Sequence, residues 1–282
     1  MPVFYTPKIL ADAESYSPSA SKPKEVLESR RELGIPITVI EPGPVTDAEF
    51  CLAHAPGFVE GVLAAKLENG FGNKSAEVAA SLPYTSGAML AASREALSNS
   101  ELAVAPCSGF HHAYFEAPDG FCTFNGLIVA AQVLKESGEA RRIGILDFDQ
   151  HYGDGTDDII RCLGLGYIEH YTAGKFWHSS GQAKEFLSVI PSIVERTADC
   201  SLILYQAGAD PHVDDPLGGW LTTEQLAERD HIVFEAVKKL RVPLAWNLAG
   251  GYQIPLRKVL DIHDNTLRAC WRVYQSETRS GG

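Results

Sequence analysis

The strongest constraint on the fold is a regular alternation of short apolar segments with helical segments from residue 102 onward. Four apolar segments have the length of a strand, and each ends in a polar, glycine-rich loop. The segments are 102–105, 143–148, 201–205 and 243–248, followed by loops that contain SGFHHA, DFDQHYGDG, AGADPH and AGGYQ. Strands that alternate with helices predict a mostly parallel α/β sheet wrapped by helices. Ligands of such sheets bind beyond the carboxyl ends of the strands.

The segment Ile143–Asp158 carries metal-ligand side chains at the end of one predicted strand. Asp147, Asp149 and His151 stand at every second position, and in an extended backbone such residues project to the same side. Two carboxylates with an imidazole suit zinc or iron better than calcium, because they combine hard oxygen with borderline nitrogen ligands. The structural alternative is a loop rich in Asp and Gly that carries one surface histidine.

A third ligand is predicted in the loop after segment 201–205. Asp210 would join Asp149 and His151 at the same edge of the sheet. Three protein ligands leave one coordination position open for water and substrate, which is typical of a catalytic zinc site. The alternative for Asp210 is a turn or helix cap before Pro211.

The other two loops carry groups that could serve acid–base chemistry. His111 and His112 form a tandem pair, and imidazoles of near-neutral pKa can act as general base and general acid. Asp147 and Asp154 are the available carboxylates to orient them. Tyr252 follows Gly250 and Gly251, and its phenol could polarise a carbonyl or stabilise an oxyanion. The alternatives are surface or metal-binding histidines and a tyrosine that only completes a turn.

Composition excludes several classes of function. A net charge of −12 and a pI near 5.2 argue against a nucleic-acid partner, which requires a basic face. The acidic surface is compatible with cationic substrates. Six scattered cysteines without a CxxC pair predict reduced thiols and a cytoplasmic location. The sequence has neither a signal peptide nor an apolar run of about 18 residues, so no membrane partner is expected. The last residues, SETRSGG, are predicted to be a frayed end.

The motifs GFHHA, GFC, LDFDQHYGDGT, AGADPH followed by DPLG, and GGY occur in family order between His111 and Tyr252. In these motifs and their order, the chain resembles the zinc-dependent histone deacetylase superfamily, including its bacterial deacetylase-like and acetylpolyamine-deacetylating members. The resemblance implies a single-domain, three-layer α/β/α fold of the arginase and deacetylase type over residues 1–282. It also implies removal of acetyl or other acyl groups from lysine side chains, polyamines or a related small amine.

The resemblance also implies a role for each matching residue. Zinc, or iron(II) in the cell, would be held by Asp149, His151 and Asp210. His111 would pair with Asp147, and His112, the expected general base, with Asp154. Tyr252 would bind the amide carbonyl, and Asp147 would also help to hold a structural potassium ion. Substrate contacts are expected from Gly120, Phe121, Gly250 and Gly251, with Phe121 as one wall of a narrow tunnel. A homo-oligomer is compatible with the sequence.

One departure from the family pattern concerns the mouth of the site. The segment between His151 and Asp210 is short and lacks the loop rich in glycine and phenylalanine that usually supplies the opposite wall. Phe176 and Trp177 are the candidates that remain for that wall. A shortened rim predicts an open mouth that accepts a small or unusual acyl-amine.

Two other functions stay open at this point. An arginase-like hydrolase would need further Asp or His ligands for a second metal ion, and metal stoichiometry would reveal it. A catalytically silent protein that binds acylated amines should have lost a metal ligand, a tandem histidine or the tyrosine, but the sequence retains all of them.

Overall fold

The strands of the protein form one parallel sheet. The computed structural model describes residues 1–275, so the predicted frayed end lies outside the described residues. Within them the sheet has seven strands in the order β2-β1-β3-β7-β6-β4-β5, and every neighbouring pair is parallel. The strands are β1 Pro2–Phe4, β2 Thr38–Ile40, β3 Leu102–Ala105, β4 Ile143–Asp147, β5 Ile168–Thr172, β6 Leu202–Gly208 and β7 Leu244–Ala249.

Helices cover both faces of this sheet. The α-helices are α1 Lys22–Glu32, α2 Asp47–Phe50, α3 Pro56–Leu63, α4 Ala76–Asn99, α5 Gly126–Glu136, α6 Asp154–Leu163, α7 Ala183–Glu195, α8 Thr223–Leu240 and α9 Arg257–Gln275. Short 3-10 turns occur at Pro7–Ile9, Pro18–Ala20, Ala173–Lys175 and Ser180–Gln182. One hydrophobic cluster joins α1, α7, α8 and α9 to the sheet. A second cluster joins α2, α3, α4, α5 and α6 to it. The predicted three-layer α/β/α arrangement is therefore confirmed.

The pleat of the strands explains why both clusters form. On β6, Ile203 and Tyr205 belong to the first cluster, whereas Leu202 and Leu204 belong to the second. Successive side chains of a strand point to opposite faces, so a strand covered on both sides must be apolar throughout. The continuous apolar run at 201–205 is thus explained by the buried position of β6 between β4 and β7.

Several element boundaries differ from those in the sequence analysis. The four strands lie within three residues of the apolar segments at 102–105, 143–148, 201–205 and 243–248. The apolar periodicity of residues 84–99 predicts a helix from Tyr84, but α4 begins at Ala76 and accommodates Pro83 in its interior. The pattern of residues 56–67 predicts a helix, but α3 ends at Leu63, and Ala65 adopts a positive φ of 55°. β1, of three residues, was too short to predict.

The order of the strands brings four loops to one edge. β3, β7, β6 and β4 are consecutive in the sheet, and in parallel strands the carboxyl ends lie together. The loops with the predicted site residues follow these four strands. All six cysteines are free thiols, as predicted. No helix among residues 1–275 combines the length and the apolar character needed to cross a bilayer.

Candidate metal centre and active site

The three predicted metal ligands lie together at the ends of β4 and β6. One potential ligand atom from each of Asp149, His151 and Asp210 lies within 4.8 Å of the others. His151 Nδ1 is 3.2 Å from Asp149 Oδ1 and 3.0 Å from Asp210 Oδ2. Both carboxylates are buried, and His151 is half-buried. The set has two oxygen donors and one nitrogen donor, which fits a divalent transition metal.

The electrostatics of this cluster also favour a cation. Burial and the neighbouring Asp149 carboxylate raise the pKa of Asp210 to about 7. Burial alone would raise the pKa of Asp149 as well, but His111 and His151 hold it below its usual range. Hydrogen bonds to Asp149 and Asp210 raise the pKa of His151 to about 11. Two buried carboxylates this close together repel each other, and a bound divalent cation would neutralise both.

The tandem histidines lie beside the cluster, and each is bound to its own carboxylate. His111 Nδ1 donates to Asp147 Oδ2 at 2.8 Å, and His112 Nδ1 donates to Asp154 Oδ1 at 2.7 Å. The centres of the two imidazole rings are 4.0 Å apart. Because an ionised carboxylate can only accept, these contacts place a proton on Nδ1 of each ring.

The two histidines differ in their environment. Burial would lower the pKa of His111, but Asp147 and Asp149 outweigh burial and raise it to about 9. The pKa of His112 is lowered, first by burial and then by the charge of His111. Environments that push the pKa values of neighbouring groups apart are typical of acid–base pairs. His112 is therefore the imidazole whose Nε2 is free of a proton near neutral pH.

Asp147 accepts three hydrogen bonds. Its Oδ1 accepts from the main-chain N–H of Asp149 at 3.2 Å and from Gln206 Nε2 at 2.9 Å, while its Oδ2 accepts from His111. Gln206 lies on β6, so this network ties the end of β4 to the adjacent strand. The carboxylate thus fixes both the turn that presents Asp149 and the ring of His111.

Tyr252 approaches the cluster from the end of β7. Gly250 and Gly251, with φ of 49° and 91°, turn the chain, and a Cβ on Gly250 would lie 2.2 Å from the carboxylate carbon of Asp210. The glycines therefore allow the chain to pack closely on Asp210. Burial, followed by the charges of Asp210 and Asp149, raises the pKa of Tyr252 well above its usual range. The phenol remains a hydrogen-bond donor.

Phe121 forms part of an aromatic wall above the site. Its ring centre is 5.7 Å from that of Tyr252 and 6.0 Å from that of Phe71. Phe121 has a φ of 64°, which is uncommon for a residue with a side chain. A Cβ on the preceding Gly120 would lie 2.5 Å from the His112 ring. The turn at these two residues is therefore shaped around His112.

Neither candidate for the opposite wall contacts Phe121. Trp177 donates its indole N–H to the Tyr171 hydroxyl at 2.7 Å and packs on Phe186. Phe176 stacks on Tyr171 with ring centres 5.9 Å apart. Among the described residues, the rings that contact Phe121 are those of Tyr16, Phe71 and Tyr252.

Sequence reasoning missed three residues that support the site. The Lys22 ammonium is buried and donates to the carbonyl oxygen of Gly250, and burial lowers the pKa of Lys22 to about 8. Asp215 Oδ2 accepts from the main-chain N–H of Tyr252 at 2.8 Å. Arg229 Nη1 donates to the carbonyl oxygens of Phe148 and Gly208 at 3.0 and 2.8 Å.

Two of these three residues left a signal in the sequence. Arg229 stands in the apolar stripe of α8 with Leu226 and Val233, where a charged residue indicates a buried partner. Asp215 is the first residue of the DPLG motif, although the motif alone does not give its role. Lys22 begins a helix, a position that is common for polar residues without any functional role.

Comparisons with known proteins show which family model and which relatives this chain matches. A family model described as the histone deacetylase domain matches residues 18–163 and 163–267. An uncharacterized protein of Picosynechococcus sp. is 28% identical over 262 residues, which cover 85% of this chain and 87% of that protein. Acetylpolyamine amidohydrolase 2 of Pseudomonas aeruginosa is 29% identical over 177 residues, which cover 51% of this chain and 49% of the relative. The chain thus aligns with about half of that enzyme.

Two solved structures share the fold. The crystal structure of the HDA15 HD domain superposes with a TM-score of 0.77 at 17% identity, over 99% of this chain and 92% of that one. An acetylpolyamine aminohydrolase from Burkholderia pseudomallei gives a TM-score of 0.74 at 17% identity, over 97% of this chain and 99% of that one. At this identity the likeness shows the arrangement of strands and helices alone.

Proposed function

Because this chain belongs to the histone deacetylase family, we propose that it is a zinc-dependent hydrolase of acylated amines. The substrate would be an acetyl or other short acyl group on a lysine side chain, a polyamine or a related small amine. The products would be the free carboxylate and the free amine. The acetylpolyamine amidohydrolase among its relatives supports this substrate class.

The observation that carries the proposal is the meeting of four loops at one point. Asp149, His151 and Asp210 offer ligand atoms within 4.8 Å of one another. Tyr252 and the tandem histidines lie around the same cluster. When bound there, zinc would polarise the acyl carbonyl and lower the pKa of a coordinated water. Iron(II) has similar ligand preferences and is the alternative ion in the cell.

The protein's own residues would supply the proton transfers. The Tyr252 phenol keeps its proton and would donate a hydrogen bond to the acyl oxygen as negative charge develops there. His112 has a free Nε2 and would accept a proton from the attacking water. As the carbon–nitrogen bond breaks, an imidazolium of the pair would protonate the departing amine. Asp147 and Asp154 would hold both rings in place during these steps.

The proposal also covers a second ion, the substrate contacts, the cellular location and the domain organisation. A structural potassium ion near Asp147 stays a prediction from the family pattern, and so do the substrate contacts of Gly120, Phe121, Gly250 and Gly251. The cytoplasmic location also stays a prediction, as does the single domain over residues 1–282.

A substrate panel on the metal-loaded protein tests the proposed function. The purified chain would be stripped with a chelator, reloaded with zinc, and incubated with an acetyl-lysine peptide, an acetylated diamine and longer acyl-lysine peptides. Mass spectrometry should detect amine release that depends on zinc and is absent in the stripped protein. Absence of hydrolysis across the whole panel would favour a silent binding protein. Two metal ions per chain together with urea production from arginine would favour an arginase-like hydrolase.

A further inference from the structure

Tyr16 is an exposed aromatic residue that contacts the wall of the site. Its side chain is 73% exposed, and its ring meets that of Phe121 edge to face with 5.3 Å between centres. Phe121 in turn contacts Tyr252. These three rings form a continuous line from the phenol beside the metal cluster out to solvent. Tyr16 therefore extends the aromatic wall from Phe121 outward to the solvent.

The loop that carries Tyr16 is held by hydrogen bonds on both sides of the ring. The main-chain N–H of Ala11 donates to the carbonyl of Ala20 at 3.2 Å and closes the loop at its base. Asn73 Nδ2 donates to the carbonyl of Ala13 at 2.8 Å, and Glu77 accepts from the N–H of Asp12 at 2.9 Å. The exposed ring is thus presented by a fixed backbone.

The same segment also reaches the floor of the site. Lys22 follows Tyr16 by six residues and donates its ammonium to the carbonyl of Gly250, two residues before Tyr252. The segment between them is closed by a 3-10 turn at Pro18–Ala20, capped by the Ser17 hydroxyl. Tyr16 is consequently positioned relative to the metal cluster at two points, through Phe121 and through the Lys22 contact.

Two exposed apolar residues are tied to the segment that carries Tyr252. Ile254 is 91% exposed and lies two residues after Tyr252. Leu217 is exposed as well, and its main-chain N–H donates to Asp215, the carboxylate that holds the N–H of Tyr252. Large exposed apolar side chains close to a site favour contact with apolar or flat groups of a ligand.

The carboxylates next to the wall are engaged by the main chain. Both oxygens of Asp215 accept N–H groups, from Leu217 and Tyr252. Asp119 Oδ1 accepts the N–H of Gly120, directly before Phe121. These bonds occupy some of the acceptor sites that an ammonium group would use, whereas a neutral peptide chain needs no counter-ion.

We propose that Tyr16 is a specificity-determining residue, whose ring packs on the part of an acylated-amine substrate that extends beyond the amine stem. The inference rests on the proposed hydrolase function and narrows it, because it favours an acylated lysine within a peptide over a free acylated polyamine. Tyr16 precedes the first residue matched by the family model.

Steady-state kinetics on paired substrates tests this inference. Tyr16→Ala would be compared with wild type on an acetyl-lysine peptide and on an acetylated diamine. The KM for the peptide should rise by about 5- to 10-fold, the effect of losing one stacked aromatic contact, with little change in kcat. Tyr16→Phe keeps the ring and should resemble wild type. Leu163→Ala, at the far end of α6, removes an exposed apolar side chain away from the site and serves as the control.

The inference is overturned if KM for the peptide does not change in Tyr16→Ala, or if KM rises equally on both substrates. Fluorescence anisotropy of the labelled peptide with the zinc-loaded protein distinguishes failure of the inference about Tyr16 from failure of the proposed hydrolase function. Weaker binding to Tyr16→Ala than to wild type supports the role of Tyr16 even if neither protein hydrolyses the peptide. Equal binding, or no binding to wild type, rejects it.

Discussion

His112 and Asp154 are joined by a 2.7 Å hydrogen bond between the loop after β3 and the first residue of α6. The other carboxylate oxygen of Asp154 accepts from the Tyr114 hydroxyl, also at 2.7 Å. Burial alone would raise the pKa of Asp154, but the bonds from His112 and Tyr114 lower it. The carboxylate therefore stays charged and directs Nε2 of His112 away from itself.

Replacing this carboxylate should impair turnover without unfolding the protein. In Asp154→Asn the negative charge is lost, and we expect kcat to fall by about 10- to 100-fold, as for other partners that orient active-site imidazoles. Loss of the charge should also lower the pKa of His112, so the acid limb of the pH–rate profile should move to lower pH. Tyr114→Phe leaves the bond to His112 in place and should have a smaller effect. An unchanged profile in Asp154→Asn would contradict the assignment.

The phenol of Tyr252 should be needed for chemistry and not for metal binding. We expect Tyr252→Phe to retain zinc and thermal stability while kcat falls by about 10²- to 10³-fold, the usual effect of removing one oxyanion donor. Tyr152→Phe is the matched control, because the Tyr152 hydroxyl binds Asp157 and Lys175 at the same edge. Full activity of Tyr252→Phe would refute the role given to the phenol.

Asp210 should be required for the metal itself. Asp210→Ala removes one of the two carboxylates of the cluster, so zinc content, zinc-induced thermal stabilisation and activity should be lost together. Elemental analysis measures the zinc content, thermal unfolding with and without zinc measures the stabilisation, and amine release measures the activity. Asp214→Ala removes an exposed acid from the same loop and should retain all three properties. An Asp210→Ala variant that is both zinc-loaded and active would exclude Asp210 as a ligand.

Acid should destabilise the protein through His54. Its Nδ1 donates to the carbonyl of Tyr114, and its Nε2 accepts the N–H of Asn125 at 2.9 Å, so the folded protein requires a neutral ring. Burial lowers the pKa of His54 to about 4, below the value near 6.5 of an unfolded chain. The stabilisation is therefore complete above pH 6.5 and is lost as the pH falls towards 4.

Between pH 7 and pH 5 this single group should remove about 2 kcal/mol from the free energy of unfolding. Urea unfolding across this pH range measures how the free energy of unfolding depends on pH. His54→Gln provides the comparison, because glutamine cannot titrate. Between pH 7 and pH 5 the free energy of unfolding of the variant should fall by about 2 kcal/mol less than that of wild type. Equal slopes would show that His54 does not carry the effect.

Arg229 should stabilise the edge of the sheet that holds the metal cluster. It pairs with the buried Asp230, with 2.8 Å between Nε and Oδ1, and binds carbonyls at the ends of β4 and β6. Arg229→Met should cost about 3–5 kcal/mol, because Asp230 is left buried without its cation. Urea unfolding measures the cost, and the double variant with Asp230→Leu should recover part of it. A single variant as stable as wild type would contradict this prediction.

Much of the site could be predicted because its signals are local. Asp147, Asp149 and His151 are two residues apart at the end of a strand, and an extended backbone fixes their common direction whatever surrounds them. The alternation of strands and helices likewise predicts a parallel sheet and places strand ends on one edge. The family motifs add the tandem histidines and Tyr252, since each motif is contiguous.

The remaining features depended on residues far apart in the chain. Lys22 and Gly250 are separated by 228 residues, and they meet where α1 packs against α9, the helix that follows β7. Tyr16 meets Phe121 only because its loop is bound to Asn73 and Glu77. The amino-acid sequence thus determined which chemical groups end each strand, since backbone periodicity is a local property. The tertiary structure alone decided which distant side chains enclose them, because strand order and loop packing are set by the competition of many weak long-range contacts.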